Sequence, residues 1–398
     1  MRAGTATALA AAAALALGAG VVAGAGGDDD AGRSLPPPAP QRQAVGPATS
    51  VIFLLGDGMG AGARALIRRA TGERLQMDAL PRRARVRTDP AEPDGAVTDS
   101  AAAATAFATG HKTSNGAVAV DPAGRPLPTI LERAKAAGKA TGLVTTSLLT
   151  DASPAAFAAH VADRREHEEI ARQYLDRTRP DVLLGGGARA FGAGLLARAE
   201  RLGYEVLHSA REMRASRGRR LLGLFASGPL FHAAPEPDGV YAPPVSLAAM
   251  TRKALTTLGR HRRGFFLLVE EEAIDELAHA NNAELVAAAG VAFDAAVGAA
   301  RAYARRHPST LVVVGGDHET GGLSVVDGGR PAGPGEDGPF TRAAGGPPFL
   351  AAWTTTAHTA RDVPFSASGP GAGAIAGTLD NTAIHDVLSA ALLGRRRP

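Results

Sequence analysis

The chain has 398 residues, 45% of them hydrophobic, which is enough for a large buried core and excludes disorder throughout. Its formal net charge is only +4, and its scattered basic residues are nearly all Arg, so a pI of 9.7 is poor ground for nucleic-acid or membrane partners. Zero cysteines exclude a disulfide framework, a lipidated cysteine and thiolate ligands, so any metal must sit on Asp, Glu, His and hydroxyls.

At the start, Met1-Arg2, an Ala/Leu/Gly/Val run to about Val22 and then Ala23-Gly24-Ala25 form a positive start, an apolar stretch and a small-residue cleavage pattern. The expectation is a signal peptide over 1–25, cut after Ala25, and a secreted or extracytoplasmic protein, in the periplasm or at the cell surface. An uncleaved anchor competes, since a span needs about 20 apolar residues, but Ala and Gly make this stretch weakly apolar. No other stretch is expected to span a bilayer. Residues 26–47, with Asp28-Asp29-Asp30, Pro36-Pro37-Pro38 and Pro40, read as a Pro-rich linker, because charge and proline oppose helix and sheet alike. One domain follows over 48–394, and 395–398 is a basic tail.

Within that domain, apolar runs read as strands at Val51 to Leu55, Ala140 to Thr145, Val182 to Leu184, Phe265 to Val269 and Leu311 to Val314, with amphipathic helices between them. Alternating strands and helices predict an α/β fold, a three-layer αβα sandwich on a mostly parallel central sheet. Ser324 to Pro348 is crowded with Gly and Pro and reads as a long loop or small surface insertion. Asn381 and Thr382 are expected to cap a last helix ending at Gly394.

Ligands of open α/β sheets bind beyond the carboxyl ends of the strands, so the polar residues after each run are the candidates. Asp57 follows the first run within Gly56-Asp57-Gly58-Met59-Gly60; the spacing is wrong for a dinucleotide loop, and an Asp there would repel pyrophosphate. Ser100, before an Ala-rich helix former, should stand at a helix N-terminus, where an N-cap role is the plain alternative to stabilising an alkoxide and a phosphate. Asp275 and His279 are four apart, which stacks them on one helix face after the acidic run Glu270-Glu271-Glu272. Asp317-His318 follows another strand, and His358 is expected to do the same after Trp353-Thr-Thr-Thr-Ala. Three strand ends offering Asp or His at one sheet face favour metal binding over packing.

These residues resemble the alkaline phosphatase family, over nearly all of the chain from Ser50 to Leu393. The resemblance rests on Gly56-Asp57-Gly58-Met59-Gly60, Val97-Thr98-Asp99-Ser100-Ala101-Ala102, Ala106-Phe107-Ala108-Thr109-Gly110, the stretch from Asp181 to Gly187, and Gly316-Asp317-His318-Glu319-Thr320-Gly321-Gly322. It implies hydrolysis of small phosphomonoesters through a phosphoserine, with two Zn2+ and one Mg2+ as cofactors. Ser100 would be the nucleophile, with Asp57, Asp317 and His318 as ligands of the zinc beside it and Asp275, His279 and His358 as ligands of the other. Asp57 would be shared with a magnesium site completed by Asp151, Ser153 and Glu270. Arg164 matches the phosphate-clamping arginine, and Asp99 is the residue that would orient it. No nucleic-acid-specific binding and no membrane span in the mature chain are expected; a homodimer is left open. Arg164 and the setting of Ser100 argue against a phosphodiesterase or sulfatase-like relative.

Three acidic residues depart from the family pattern. Glu271 and Glu272 stand where small residues are usual, and Glu276 stands where Lys, His or Trp is common. Their charge is expected to weaken phosphate binding, with Glu276 speeding product release or helping to hold a metal.

Overall fold

The computed structural model describes residues 48–92, 95–231, 241–341 and 345–394. The expected signal peptide, linker and basic tail lie outside the described residues. Runs rich in Val, Ile, Leu and Phe and bounded by glycine form the central strands, buried on both faces as helix-covered parallel strands must be. The strands are β1 (Ser50–Gly56), β2 (Arg82–Arg87), β3 (Ala140–Leu148), β4 (Val182–Gly186), β5 (Glu205–Leu207), β6 (Leu221–Leu224), β7 (Phe265–Glu271), β8 (Thr310–Gly316), β9 (Glu319–Thr320), β10 (Ser324–Asp327), β11 (Glu336–Phe340), β12 (Phe349–Ala352), β13 (His358–Thr359), β14 (Val363–Ser368) and β15 (Ala376–Asp380). All five expected strands fall inside β1, β3, β4, β7 and β8.

Ten strands make one sheet in the order β15-β2-β14-β8-β1-β7-β3-β4-β6-β5. Only β14 runs against the others, pairing antiparallel with both β8 and β2. The helices are α1 (Ala61–Thr71), α2 (Ser100–Thr109), α3 (Ile130–Ala136), α4 (Ala152–Ala158), α5 (His167–Gln173), α6 (Ala193–Arg201), α7 (Ala210–Ala215), α8 (Leu247–Leu258), α9 (Ala273–His279), α10 (Ala283–Arg306) and α11 (Asn381–Leu393). Period-2 alternation divides the apolar side chains between two cores. Ile52, Leu54, Val312 and Val314 pack with Leu66 and Ile67 of α1, Leu255 of α8 and Phe293 of α10. Val51, Phe53, Leu55 and Val313 pack with Phe107 of α2, Leu131 of α3, Phe157 of α4 and Leu388 of α11. The result is the three-layer αβα sandwich on a mostly parallel sheet.

One expectation, the cap of the last helix, is corrected, and two others are made more exact. The 324–348 segment is no plain loop: β10, β12 and β11 form a separate antiparallel sheet. This insertion is fastened to the start of α10, because Asp337 accepts hydrogen bonds from the Ala283 N–H (2.9 Å) and the Trp353 indole (3.1 Å). The last helix is capped by Asp380, whose carboxylate accepts from the Thr382 N–H at 3.1 Å, one residue before the expected caps. Finally, α10 is long and apolar enough to cross a membrane by length and composition, but 61% of its apolar window is buried against α1, α8, α9 and the sheet, as befits a core helix.

Candidate active site and metal centre

The carboxyl ends of four adjacent strands build the site. In register, Gly56 of β1 lies beside Glu271 of β7 and Gly316 of β8, and Thr145 of β3 lies beside Glu270. Asp57, Glu272 and Asp317 each leave a strand at this common edge, and Asp151 follows β3 closely. Gly58 is required where it stands: its φ is +63°, and a Cβ would come within 2.5 Å of Asp275 Oδ1.

Ser100 is the first residue of α2, and Asp99 is the N-cap, accepting from the Ala102 N–H at 2.9 Å. The cap role therefore belongs to Asp99, and the Ser100 hydroxyl faces the site, 3.2 Å from His318 Nε2. The other oxygen of Asp99 accepts from the Gly116 N–H (3.0 Å) and from Arg164 Nη1 (3.2 Å). Arg164 Nη2 donates to Asp151 Oδ1 at 3.0 Å. Burial opposes the charge on Arg164, but Asp151 and then Asp99 hold its pKa above the usual value.

Asp, Glu and His gather here in three overlapping groups, each with ligand atoms mutually within 4.8 Å: Asp275, His279 and His358; Asp57, Asp275 and His318; and Asp57, Glu270 and Glu272. In the first, His279 Nε2 is 3.2 Å from Asp275 Oδ2, and His358 Nε2 is 3.6 Å from Asp275 Oδ1. In the second, His318 Nε2 lies 3.4 Å from both Asp57 Oδ1 and Asp317 Oδ2. Outer contacts orient these groups. Gly58 and His318 donate their N–H to Asp317 Oδ1 at 3.0 Å each, and the Thr320 hydroxyl donates to Asp275 Oδ1.

The electrostatics fit cations. Both oxygens of Asp57, Glu270 Oε1, Asp317 Oδ2 and Ser153 Oγ are buried without a hydrogen-bond partner, which is costly unless a ligand takes them up. Burial first, then Asp317 and Glu272, push Asp57 well above the usual carboxylate range, and burial raises Glu270 to about 8. Burial also raises Asp275, but hydrogen bonds from His279 and His358 outweigh it and hold that carboxyl low. Oxygen-rich and imidazole-rich groups side by side suit magnesium and zinc respectively.

The expected residues do converge, with differences. His358 does not leave a strand of the main sheet: it sits in the two-residue β13, paired with β9. The flat run after Trp353 hid this, because so short a strand exists only through its partner. Asp151 is engaged by Arg164, by the Ser147 hydroxyl (2.7 Å) and by the Ala152 N–H (2.8 Å), and is absent from the third group. Glu272 is in that group, and sequence reasoning did not single it out as a candidate ligand. The signal was its place just past β7: its αR backbone (φ −75°, ψ −34°) ends the alternation and turns the carboxylate toward Glu270. Glu271, expected to charge the site, is held elsewhere, accepting from the Thr146 hydroxyl (2.7 Å) and the Tyr241 hydroxyl (2.6 Å).

Known proteins resemble the chain in sequence and in fold. The family model "Alkaline phosphatase" matches residues 48–334. The chain is 38% identical over 421 residues to streptomycin-6-phosphate phosphatase of Streptomyces griseus, covering 89% of this chain and 92% of that one. It is 33% identical to alkaline phosphatase of Escherichia coli (strain K12), covering 87% and 86%. Alkaline phosphatase from the psychrophile Shewanella sp. superposes with a TM-score of 0.75 at 31% identity, over 86% of this chain and 99% of that one. A mutant of the alkaline phosphatase from the Antarctic bacterium TAB5, with Mg bound in its M3 site, gives 0.76 at 28%, over 88% and 99%. Taken with the three groups of carboxylate and imidazole ligands, these likenesses show that the chain belongs to the alkaline phosphatase family and is a metal-binding phosphatase acting on phosphomonoesters.

Proposed function

We propose that the chain hydrolyses phosphomonoesters in two steps through a phosphoserine on Ser100, with two zinc ions and one magnesium ion bound. The observation that carries this reading is the Ser100 hydroxyl, free of capping duty and 3.2 Å from His318 Nε2. Asp57, Asp317 and His318 would hold the zinc beside it, and Asp275, His279 and His358 the other zinc. Magnesium would take Asp57, Asp151, Ser153 and Glu270, with Glu272 as an added carboxylate. When bound, the metals supply Lewis acidity, lowering the pKa of a hydroxyl or water and offsetting charge on the apical oxygens.

The protein's own groups do the rest. Ser100 Oγ gives up its proton and attacks phosphorus in line; the Oγ–P bond forms as the ester P–O bond breaks, and the alcohol leaves with a proton. Water then breaks the Oγ–P bond, restoring Ser100 and releasing inorganic phosphate. The N–H groups opening α2 and the Arg164 fork stabilise the phosphoryl oxygens, with Asp99 and Asp151 fixing the arginine. That clamp favours a dianionic monoester over a diester. The segment 1–25 supports export as a signal peptide.

Turnover of p-nitrophenyl phosphate by wild type and Ser100→Ala, with metal analysis of both, tests the reading. The variant should keep its metals, lose about 10³-fold or more in turnover, and form no acid-stable phosphoenzyme. Equal activity in the two proteins would overturn the mechanism.

A further inference from the structure

Alternation along β2 buries Ala84 and Val86 in the core beneath the sheet and turns Arg83 and Arg85 to the opposite face. There they meet α1, the turn Met77–Ala79, β14 and β15 around a cavity of about 580 Å³, within the roughly 300–1,000 Å³ typical of small-ligand sites. None of the residues of the metal centre lines it.

Its charge is one-sided. Arg64, Arg68, Arg83 and Arg85 line it against one carboxylate, Asp78, which is already paired with Arg68 at 2.8 Å. Arg83 reaches only the backbone carbonyl of Asp78, also at 2.8 Å. Arg64 is the telling residue. It is 5% exposed, donates to Ser366 Oγ at 2.9 Å, and leaves its Nε buried without a hydrogen-bond partner. Among the described residues no carboxylate pairs with it. Burial lowers its pKa to about 10 against the weaker pull of Asp78, so it stays charged at neutral pH, desolvated and without a carboxylate in direct contact. A buried guanidinium of that kind, with Arg83 and Arg85 beside it, suits an anion with several oxygens.

We propose that this cavity is a second anion site, separate from the catalytic centre, that binds phosphate groups, either free phosphate or a linked phosphate chain. Arg64 is its buried anchor, and Arg83 and Arg85 are its outer clamp. Free phosphate is the product that the enzyme itself releases; a chain of phosphates makes fuller use of the volume and of four cations.

Equilibrium dialysis of the metal-loaded enzyme counts sites per chain for labelled inorganic phosphate and, separately, for methylenediphosphonate, which resists hydrolysis. At least one probe should show a site that phenylphosphonate, a monoester analogue the enzyme cannot hydrolyse, does not displace. Phosphate there marks free phosphate as the ligand; the diphosphonate alone marks a linked chain. In Arg83→Ala/Arg85→Ala this site should weaken by about tenfold or more, while turnover and the inhibition constant for phosphate stay unchanged. Arg64→Met should abolish it, and the exposed double variant keeps the test valid should that variant not fold. If every bound probe is displaced by phenylphosphonate, or the double variant keeps the second site at full affinity, the proposal is overturned. Failure of the catalytic reading would appear separately, as a missing substrate-competitive site.

Discussion

His279 Nε2 and His358 Nε2 face each other at 3.1 Å, while their Nδ1 atoms lie 2.5 Å from the Thr356 carbonyl and 2.9 Å from the Thr98 carbonyl. A carbonyl can only accept, so both Nδ1 atoms donate and the two Nε2 lone pairs converge with Asp275 on one point. That point calls for a cation. Without metal, a proton must serve: the hydrogen bond that His279 donates to Asp275 is the first cause that raises His279 to about 9, and burial raises Glu270 to about 8. Both groups then hold protons in the folded state at pH values where the unfolded chain has released them. Stability of the metal-free protein is therefore present at low pH and lost as pH rises, from about 4.5 to 8 for Glu270 and about 6.5 to 9 for His279. Thermal melts of chelated protein should show Tm falling between about pH 5 and 9, and the metal-loaded protein should lack that fall. A chelated Tm that is flat or rising across this window would contradict the account.

Glu272 adds a carboxylate to Asp57 and Glu270 in a buried group. Three carboxylates around one divalent cation bind it more tightly than two, but repel one another when it is gone. Glu272→Ala should lower the retained magnesium after exhaustive dialysis, with affinity down by about tenfold to a hundredfold, while zinc content holds. The same substitution should make the chelated protein more stable, since one mutually repelling charge is removed. Loss of both metals in parallel, or no change in magnesium, would show that Glu272 is not a ligand.

Glu276 is half-buried beside Asp275, with Arg164 and Asp151 close enough to bear on its charge; burial first, then Asp275, raises its pKa. Its negative charge opposes a phosphate on Arg164. Glu276→Lys should lower the inhibition constant for free phosphate by about two- to fivefold, less at high salt. An unchanged constant at low salt would remove Glu276 from the account of product release.

Much of this was legible because buried parallel strands write themselves as apolar runs, and the runs of β1, β7 and β8 lead straight into the carboxylates gathered at the site. Edge and surface elements were not legible for the opposite reason. β2 reads Arg-Arg-Ala-Arg-Val-Arg, with only two apolar side chains, and β10 and β11 are short, the first mostly exposed and the second mostly half-buried, so they become strands only through their partners. Whether Ser100 or Asp99 caps α2 could not be told from the sequence, since both residue types cap helices; the backbone makes Asp99 the cap. The acidic run after Val269 showed that charge gathers there, but three consecutive glutamates point three ways, and only the turn after β7 separates Glu272 from Glu271.

Glu271 illustrates that separation and gives the last prediction. It is fully buried, burial raises its pKa to about 7, and the Thr146 and Tyr241 hydroxyls satisfy both its oxygens. Tyr241 is reached from outside the sheet, so this pair ties the segment before α8 to the end of β7. Tyr241→Phe removes one donor and leaves a buried carboxylate oxygen without its partner, at a cost of about 1–3 kcal/mol. Glu271→Gln keeps the shape and an acceptor oxygen for one hydroxyl, so it should cost less than Glu271→Ala, which also opens a cavity. Denaturant unfolding should rank the three variants in that way, with metal content and the phosphate inhibition constant unchanged in Tyr241→Phe. A shift in metal content in that variant would place Glu271 in the metal centre after all.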